Sequence, residues 1–273
     1  MRRIFFLAII SVLPICVEGC SKIRVELAGY NESMTLPVPD FRGIEVHNGI
    51  EVEFTDGCSE IHVETDANVL PYMEVYEKDR ILHIEYADHM NIRGNRWTSL
   101  HTVVKIPYRG DIRSLSLSGG SVFTADLPLG PESFSADASG GSRIHCDINA
   151  SGEVSMDLSG GSVARCNTLN AAQVHLDISG GSVLGACGET GICNIDLSGG
   201  SRIEGMDGRP YGFRIYRCYG DLSGGSAATF SSDGEIVCDL SGGSHIYYTG
   251  DATRYNSTLS GASSIEWDGP SRI

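Results

Sequence analysis

The sequence is poor in lysine and aromatic residues, and past its first fifteen positions it holds no long apolar run. Its lysines are Lys22, Lys78 and Lys105; with arginine they give 20 cations against 35 carboxylates, a net charge of −15 over 273 residues. An acidic chain with scattered arginines is a poor match for a phosphate backbone, which argues against nucleic acid as a partner. Cys-x-x-Cys and His-Glu-x-x-His are absent, and with them the common zinc signatures. Gly-x-Ser-x-Gly is missing too, so no serine sits on a nucleophile elbow. What the chain has in excess is glycine, 34 residues, or about 12% against a usual value of roughly 7%. With 41% hydrophobic residues it has enough apolar material for a packed core.

Met1-Arg2-Arg3 followed by the apolar run Ile4 to Ile15 has the layout of a secretory signal, too short to remain as a membrane span. Val17-Glu18-Gly19-Cys20 resembles a bacterial lipobox, which implies acylation of Cys20 as the mature N-terminus. Cys16 follows Ile15, which is not small, so the reading falls on Cys20; secretion without lipid is the alternative. Residues 1–19 are thus expected to be removed, and residues 20–39 to form a lipidated N-terminus and tether.

The second half carries a repeat. Ser-Gly-Gly-Ser begins at positions 118, 139, 159, 179, 198, 223 and 241, and Ser-Gly-Ala-Ser at 260 closes the series. A fixed period near 20 residues is the mark of a solenoid. Before each Gly-Gly the chain alternates, as in Val154-Ser155-Met156-Asp157-Leu158, which places apolar side chains on one face of a strand. After it comes a second short strand with an inward column of Phe123, Ile144, Ala164, Leu184, Ile203, Ala228, Ile246 and Ile265. Stacking such units strand on strand satisfies the backbone and buries both columns. The fold class expected is all-β, a right-handed parallel β-helix over residues 113–273, the hand following from the rule for parallel crossovers. The longest interval, 198 to 223, contains Arg209, Pro210 and Tyr211 and reads as a protruding loop, a natural contact site.

Residues 40–112 lack the repeat but alternate as strands, and are expected to cap the solenoid. Asn48-Gly49, between Ile44-Glu45-Val46-His47 and Ile50-Glu51-Val52-Glu53-Phe54, is a strong hairpin signal.

These elements in this order resemble the putative auto-transporter adhesin, head GIN domain family. The resemblance rests on Phe41 through Phe54, on Val63-Glu64-Thr65-Asp66-Ala67-Asn68-Val69, on Leu82-His83-Ile84, and on Val103 to Pro107 leading into Leu115-Ser116-Leu117-Ser118-Gly119-Gly120-Ser121. It implies a right-handed β-helix on a secreted or lipidated envelope protein of Gram-negative bacteria, and supplies no catalytic motif.

Candidate chemistry lies on the outward positions. Asp137, Asp157, Asp177, Asp196, Asp221 and Asp239 share one position of the repeat, with Ser116 and Thr258 in the end coils. A carboxylate ladder is a potential Ca²⁺ site, but a structural role, with serine hydroxyls and corner N–H groups compensating the charge, is preferred. A second outward face carries Arg143, His145, Arg165, Arg202, Glu204, His245 and Tyr247. Together with Arg209 and Tyr211 these are the surface-binding candidates; a solvated face is the blander reading. The cysteines beyond Cys20 suit small buried columns.

With that resemblance the sequence predicts a non-enzymatic lipoprotein of the outer membrane, on its periplasmic or cell-surface side, and the resemblance implies that it acts as an adhesin or glycan binder. Its partners would be a glycan or a host or cell-surface protein, with the membrane reached through the lipid and no cofactor. An enzyme acting on polysaccharide, or a periplasmic structural or signalling lipoprotein, are the competing readings.

Overall fold

The structure is a computed structural model and describes residues 23–94, 99–206, 208–254 and 257–269. The fold is all-β, with one three-residue helical turn at Leu70–Tyr72 and one large, mostly parallel sheet. Cys20 and the signal segment lie outside the described residues.

Each repeat places one strand before the Gly-Gly corner and one after it, and each pairs in parallel with its counterpart one repeat on. Before the corner, Leu117, Ala138, Leu158, Ile178, Leu197, Leu222 and Leu240 stand in register and are buried. After it, Phe123, Ile144, Ala164, Leu184, Ile203, Ala228, Ile246 and Ile265 do the same. Each leucine, isoleucine or phenylalanine among them contributes about 1.5–3 kcal/mol when fully buried. A third run of pairing joins the starts of the long strands Leu169–Ile178, Gly188–Leu197 and Phe213–Leu222.

The corner itself is tightly determined. Gly160 has φ of +62°, and a Cβ there would lie 3.0 Å from the backbone nitrogen of Gly140 in the layer beneath. The second serine of each motif turns inward: Ser142, Ser162, Ser201 and Ser226 are fully buried. Each donates its hydroxyl to the carbonyl of the motif's first serine at 2.6–2.8 Å. Buried hydroxyls need such partners, and here the motif supplies its own.

The amino-terminal segment continues both ladders. Gly43–Val46 pairs in parallel with Ser114–Leu117 on one side and with Ile81–Ile84 on the other. Glu51–Thr55 likewise lies between Val122–Ala125 and Val103–Pro107. Antiparallel strands follow at the end: Met73–Lys78 on Ile81–Tyr86, and Asn31–Leu36 on Ile61–Asp66. One buried core runs through both halves of the chain.

Two expectations change. Asn48-Gly49 does not close a hairpin; the strands on either side pair in parallel with different neighbours, and the dipeptide forms a corner like the Gly-Gly ones. Asn48 and Gly49 have φ of +65° and +74°, Gly119 and Gly120 +65° and +82°. A type I′ hairpin also needs positive φ at both central residues, so one dipeptide suits either turn, and the partners available to the strands decide.

The expected tether between Cys20 and Pro39 carries two strands, Ile23–Glu26 and Asn31–Leu36. It is secured by Asp66, whose carboxylate accepts the N–H groups of Ala28 and Gly29, each at 2.9 Å. Among the described residues no helix is long and apolar enough to cross a membrane.

Candidate functional site

The strands before the corner present an acidic column outward. Asp137, Asp157, Asp177, Asp196, Asp221 and Asp239 are in register, one per layer, and exposed. A neighbouring outward column brings Ser155, His175, Asn194 and Tyr219 into line. Asp157, Asp177, Asp196, His175 and Asn194 line an open groove between the two columns.

Parallel strands about 4.8 Å apart hold the carboxylates near enough to repel by roughly 1 kcal/mol per neighbour in water. Partial burial against the strand, then the charges of Asp177 and Asp137, raise the Asp157 carboxyl above its ordinary 3.8. Burial, then Asp177 and Asp221, raise Asp196 from the same value.

The compensation differs from the one expected. The serine N–H and hydroxyl groups of the corner are engaged inside the motif and with the adjacent layer, as where Ser162 N donates to Ser182 Oγ at 3.1 Å. Among the described residues the hydrogen bond found on these six carboxylates is at Asp239, which accepts the Thr258 N–H at 2.7 Å. Exposure to water relieves the remainder. Side chains stacked one per layer point the same way, and among the described residues no three His, Cys, Asp or Glu side chains converge as a metal site requires.

At the amino-terminal end the same column runs through Ser116 and Glu45 to His83. Glu45 stands between His47 Nε2 at 2.8 Å and His83 Nδ1 at 3.2 Å, and His47 Nδ1 lies 2.6 Å from Ser118 Oγ. Tyr76 stacks on the His83 ring with 4.9 Å between centroids.

The strands after the corner distribute the second-face candidates over several layers. Arg143 and His145 share a strand, and Arg165 is the register partner of His145. Next to Arg165 comes Gly185, which separates this group from Arg202 and Glu204. His245 and Tyr247 lie two layers farther, their rings 5.9 Å apart, with His245 Nδ1 2.8 Å from Ser264 Oγ. The candidates share a face but form three groups.

The long interval does not project freely. Met206 is buried against Gly185, where a Cβ would come within 3.1 Å of the Met206 side chain. The turn is closed by Arg209 N donating to Met206 O at 2.9 Å and Gly205 N donating to Pro210 O at 3.2 Å. Tyr211 donates its hydroxyl to Asp268 Oδ2. Burial and that hydrogen bond, with the charge of Asp268, push the Tyr211 phenol up to about 12. Arg209 stays exposed near the tip while Tyr211 is half-buried. An absent side chain at Gly185 makes room for a methionine from the next interval, a match that period counting does not show.

A third face was not among the sequence candidates. Arg214 and Tyr216 are exposed on the strand Phe213–Leu222, beside Glu189, Asn170 and Gly191. The only signal in the sequence is a slip of alternation at Tyr216-Arg217, where two successive residues face outward.

The sequence signature of the family described as "Putative auto-transporter adhesin, head GIN domain" matches residues 40–252. Solved structures share the fold. A putative adhesin from Parabacteroides merdae superposes at a TM-score of 0.75 with 17% identity, covering 89% of this chain and 98% of that one. A putative adhesin from Parabacteroides distasonis gives 0.74 and 20% identity over 90% of this chain and 100% of that one. A structure described as a putative lipid binding protein from Parabacteroides distasonis gives 0.75 and 13%, over 90% of this chain and 99% of that one. No curated protein matches the sequence.

Proposed function

The chain belongs to the putative auto-transporter adhesin, head GIN domain family, and from that membership we propose that it is a non-enzymatic adhesin of the cell envelope. In this reading residues 113–273 form a right-handed parallel β-helix and residues 40–112 cap its amino-terminal end. Residues 1–19 direct export, and a lipid on Cys20 holds the protein at the outer membrane of a Gram-negative cell, on its periplasmic or cell-surface side. The rigid outer faces would then meet a glycan or a surface protein.

The observation that carries this reading is the register of the outward columns. Adjacent layers present Asp, Ser, His, Arg and Tyr at fixed spacing along faces that the buried columns keep from bending. A surface of that kind gains affinity from many modest contacts in parallel, which is what attachment requires.

The test uses the chain from Ser21 onward, which contains every described strand, coupled to beads and presented to mucin-coated or epithelial surfaces. Retention well above beads carrying an unrelated acidic protein is expected, and retention equal to that control overturns the adhesive reading. The anchor is tested separately with a clickable fatty acid, which should label the full chain in a Gram-negative host and fail to label Cys20→Ser. Equal labelling of both chains removes the lipid from the proposal.

A further inference from the structure

Tyr216 is an exposed aromatic residue with a glycine in the layer on either side. Its neighbours in register run Thr190 to Ile215 and Ile192 to Arg217, which sets Gly191 opposite Tyr216. One layer on, a Cβ at Gly234 would fall 2.1 Å from Tyr216 O and 3.2 Å from its ring. Below Gly191 the column continues into Ala172, whose carbonyl lies 3.0 Å from where a Gly191 Cβ would be. The glycines on either side let the adjacent layers pack closely against the Tyr216 backbone, and a trench lined by Ala150, Ala171, Thr190 and Gly191 runs along the stacking direction to the Tyr216 ring.

One wall of the trench is polar and ordered. Asn170 Nδ2 donates to Asn149 Oδ1 at 2.9 Å, and Asn170 Oδ1 accepts the Glu189 N–H at 2.9 Å. Glu189 is the register partner of Arg214, and Arg214 is held by Asp233 at 2.7 Å. At the other side Arg217 lies over the Tyr216 ring, 5.7 Å from its centroid.

We propose that this trench is an oligosaccharide site in which Tyr216 packs against a sugar ring while Asn170, Glu189 and Arg214 hydrogen-bond its hydroxyls over the floor of Ala171, Thr190 and Gly191. The proposal rests on the adhesive reading above and gives it a place and a ligand class. The chemistry follows from the parts. Pyranose C–H bonds carry slight positive charge and pack on the negative face of an aromatic ring. An amide held by Asn149 and the Glu189 N–H, and a guanidinium held by Asp233, lose little entropy when they bind hydroxyls.

The sugar is neutral. Arg214 is paired with Asp233 and Arg217 with the Tyr216 ring, while Glu189 is exposed on the wall. A chain of net charge −15 further disfavours uronates and sulfated glycans. The trench spans at least three layers, from Ala171 to Tyr216, roughly 10 Å at the strand spacing. That suits an extended oligomer better than a single residue.

Titration calorimetry on the chain from Ser21 onward tests this, with chito-, cello-, manno- and xylo-oligosaccharides of three to six units beside oligogalacturonate as the acidic probe. At least one neutral series should bind. Tyr216→Ala should then weaken it roughly tenfold or more, Tyr216→Trp should retain it, and Arg214→Ala, at an exposed position on the wall, should weaken it as well. Melting temperatures of the variants should match the parent, which separates a lost site from a lost fold. Binding by oligogalacturonate alone, by none of the probes, or unaltered in Tyr216→Ala overturns the trench. The bead assay stands apart from these outcomes: retained attachment with an inert trench removes this site and leaves the adhesive reading intact, whereas failed attachment removes the reading itself.

Discussion

Asn48 and Gly119 lie one on the other: both have φ of +65°, and a Cβ on Gly119 would come within 3.2 Å of the Asn48 backbone nitrogen. The same contact recurs up the stack, where a Gly160 Cβ would be 3.0 Å from Gly140 N, while Gly161 faces open space. Both glycines of a corner have positive φ, but only the first is also pressed against its neighbour.

Gly160→Ala should therefore cost more than Gly161→Ala. The second pays only for the left-handed backbone, about 1–2 kcal/mol, and the first adds a backbone clash. Asn48→Gly should be close to neutral, because asparagine already tolerates this conformation. Urea unfolding of the three variants checks the order, and equal losses at 160 and 161 would show that layer contact contributes nothing.

The buried column makes a plain prediction about packing. Leu197→Ala, at a side chain with no exposure between Ile178 and Leu222, should cost about 2–5 kcal/mol. Leu259→Ala, at a position 47% exposed, should stay within about 0.5 kcal/mol. Comparable losses at the two positions would contradict the assigned inward face.

The acidic column carries a signed pH dependence. Asp157 and Asp196 have folded values above 3.8, each raised partly by Asp177. Between 3.8 and the raised values the folded chain holds more protons than the unfolded one, so these groups lower stability as pH rises through that window. Their cost is absent below it and complete above it. Asp177→Asn should thus raise the melting temperature at pH 7, and the gain should fade on acidification. EDTA and added Ca²⁺ should leave the parent's melting temperature unchanged. A folded-state ion at 100 times its dissociation constant would add about 2.7 kcal/mol, and a calcium-dependent rise lost in Asp177→Asn would make the ladder a metal site.

Thiol labelling should separate the cysteines sharply. Cys58 is partly exposed, whereas Cys146, Cys166, Cys187, Cys193, Cys218 and Cys238 are buried. Burial pushes the Cys193 thiol far up. Cys166 and Cys218 are also raised, each by a hydrogen bond to a neighbouring thiol and then by burial. The thiolate is the reactive form, so the folded chain from Ser21 onward should label rapidly at one position and at seven once unfolded. Rapid labelling of several positions in the folded chain would mean that the layers open.

Much of the architecture was legible because the repeat states it twice. Strict alternation around Asp157, Asp177 and Asp196 assigned an inward and an outward face, and a near-constant period stacked them, so the leucine column and the carboxylate column followed together. A period of two admits only those two faces, and parallel stacking of equal units keeps them in register.

Other features depended on neighbours that local sequence does not name. Asn48-Gly49 encodes a pair of left-handed residues and nothing about which strands flank them; the corner forms because Gly43–Val46 and Glu51–Thr55 each find parallel partners on both sides. Ile23–Glu26 and Asn31–Leu36 became strands because Met90–Arg93 and Ile61–Asp66 receive them, with Asp66 holding the turn between. The trench arises from Asn170, Gly191 and Tyr216, three residues of three different layers with no shared motif. The sequence by itself determined the period, the faces and the charge of the columns. Which layer meets which at the variable positions, and so where a ring stands exposed between two glycines, was decided only by the stacking.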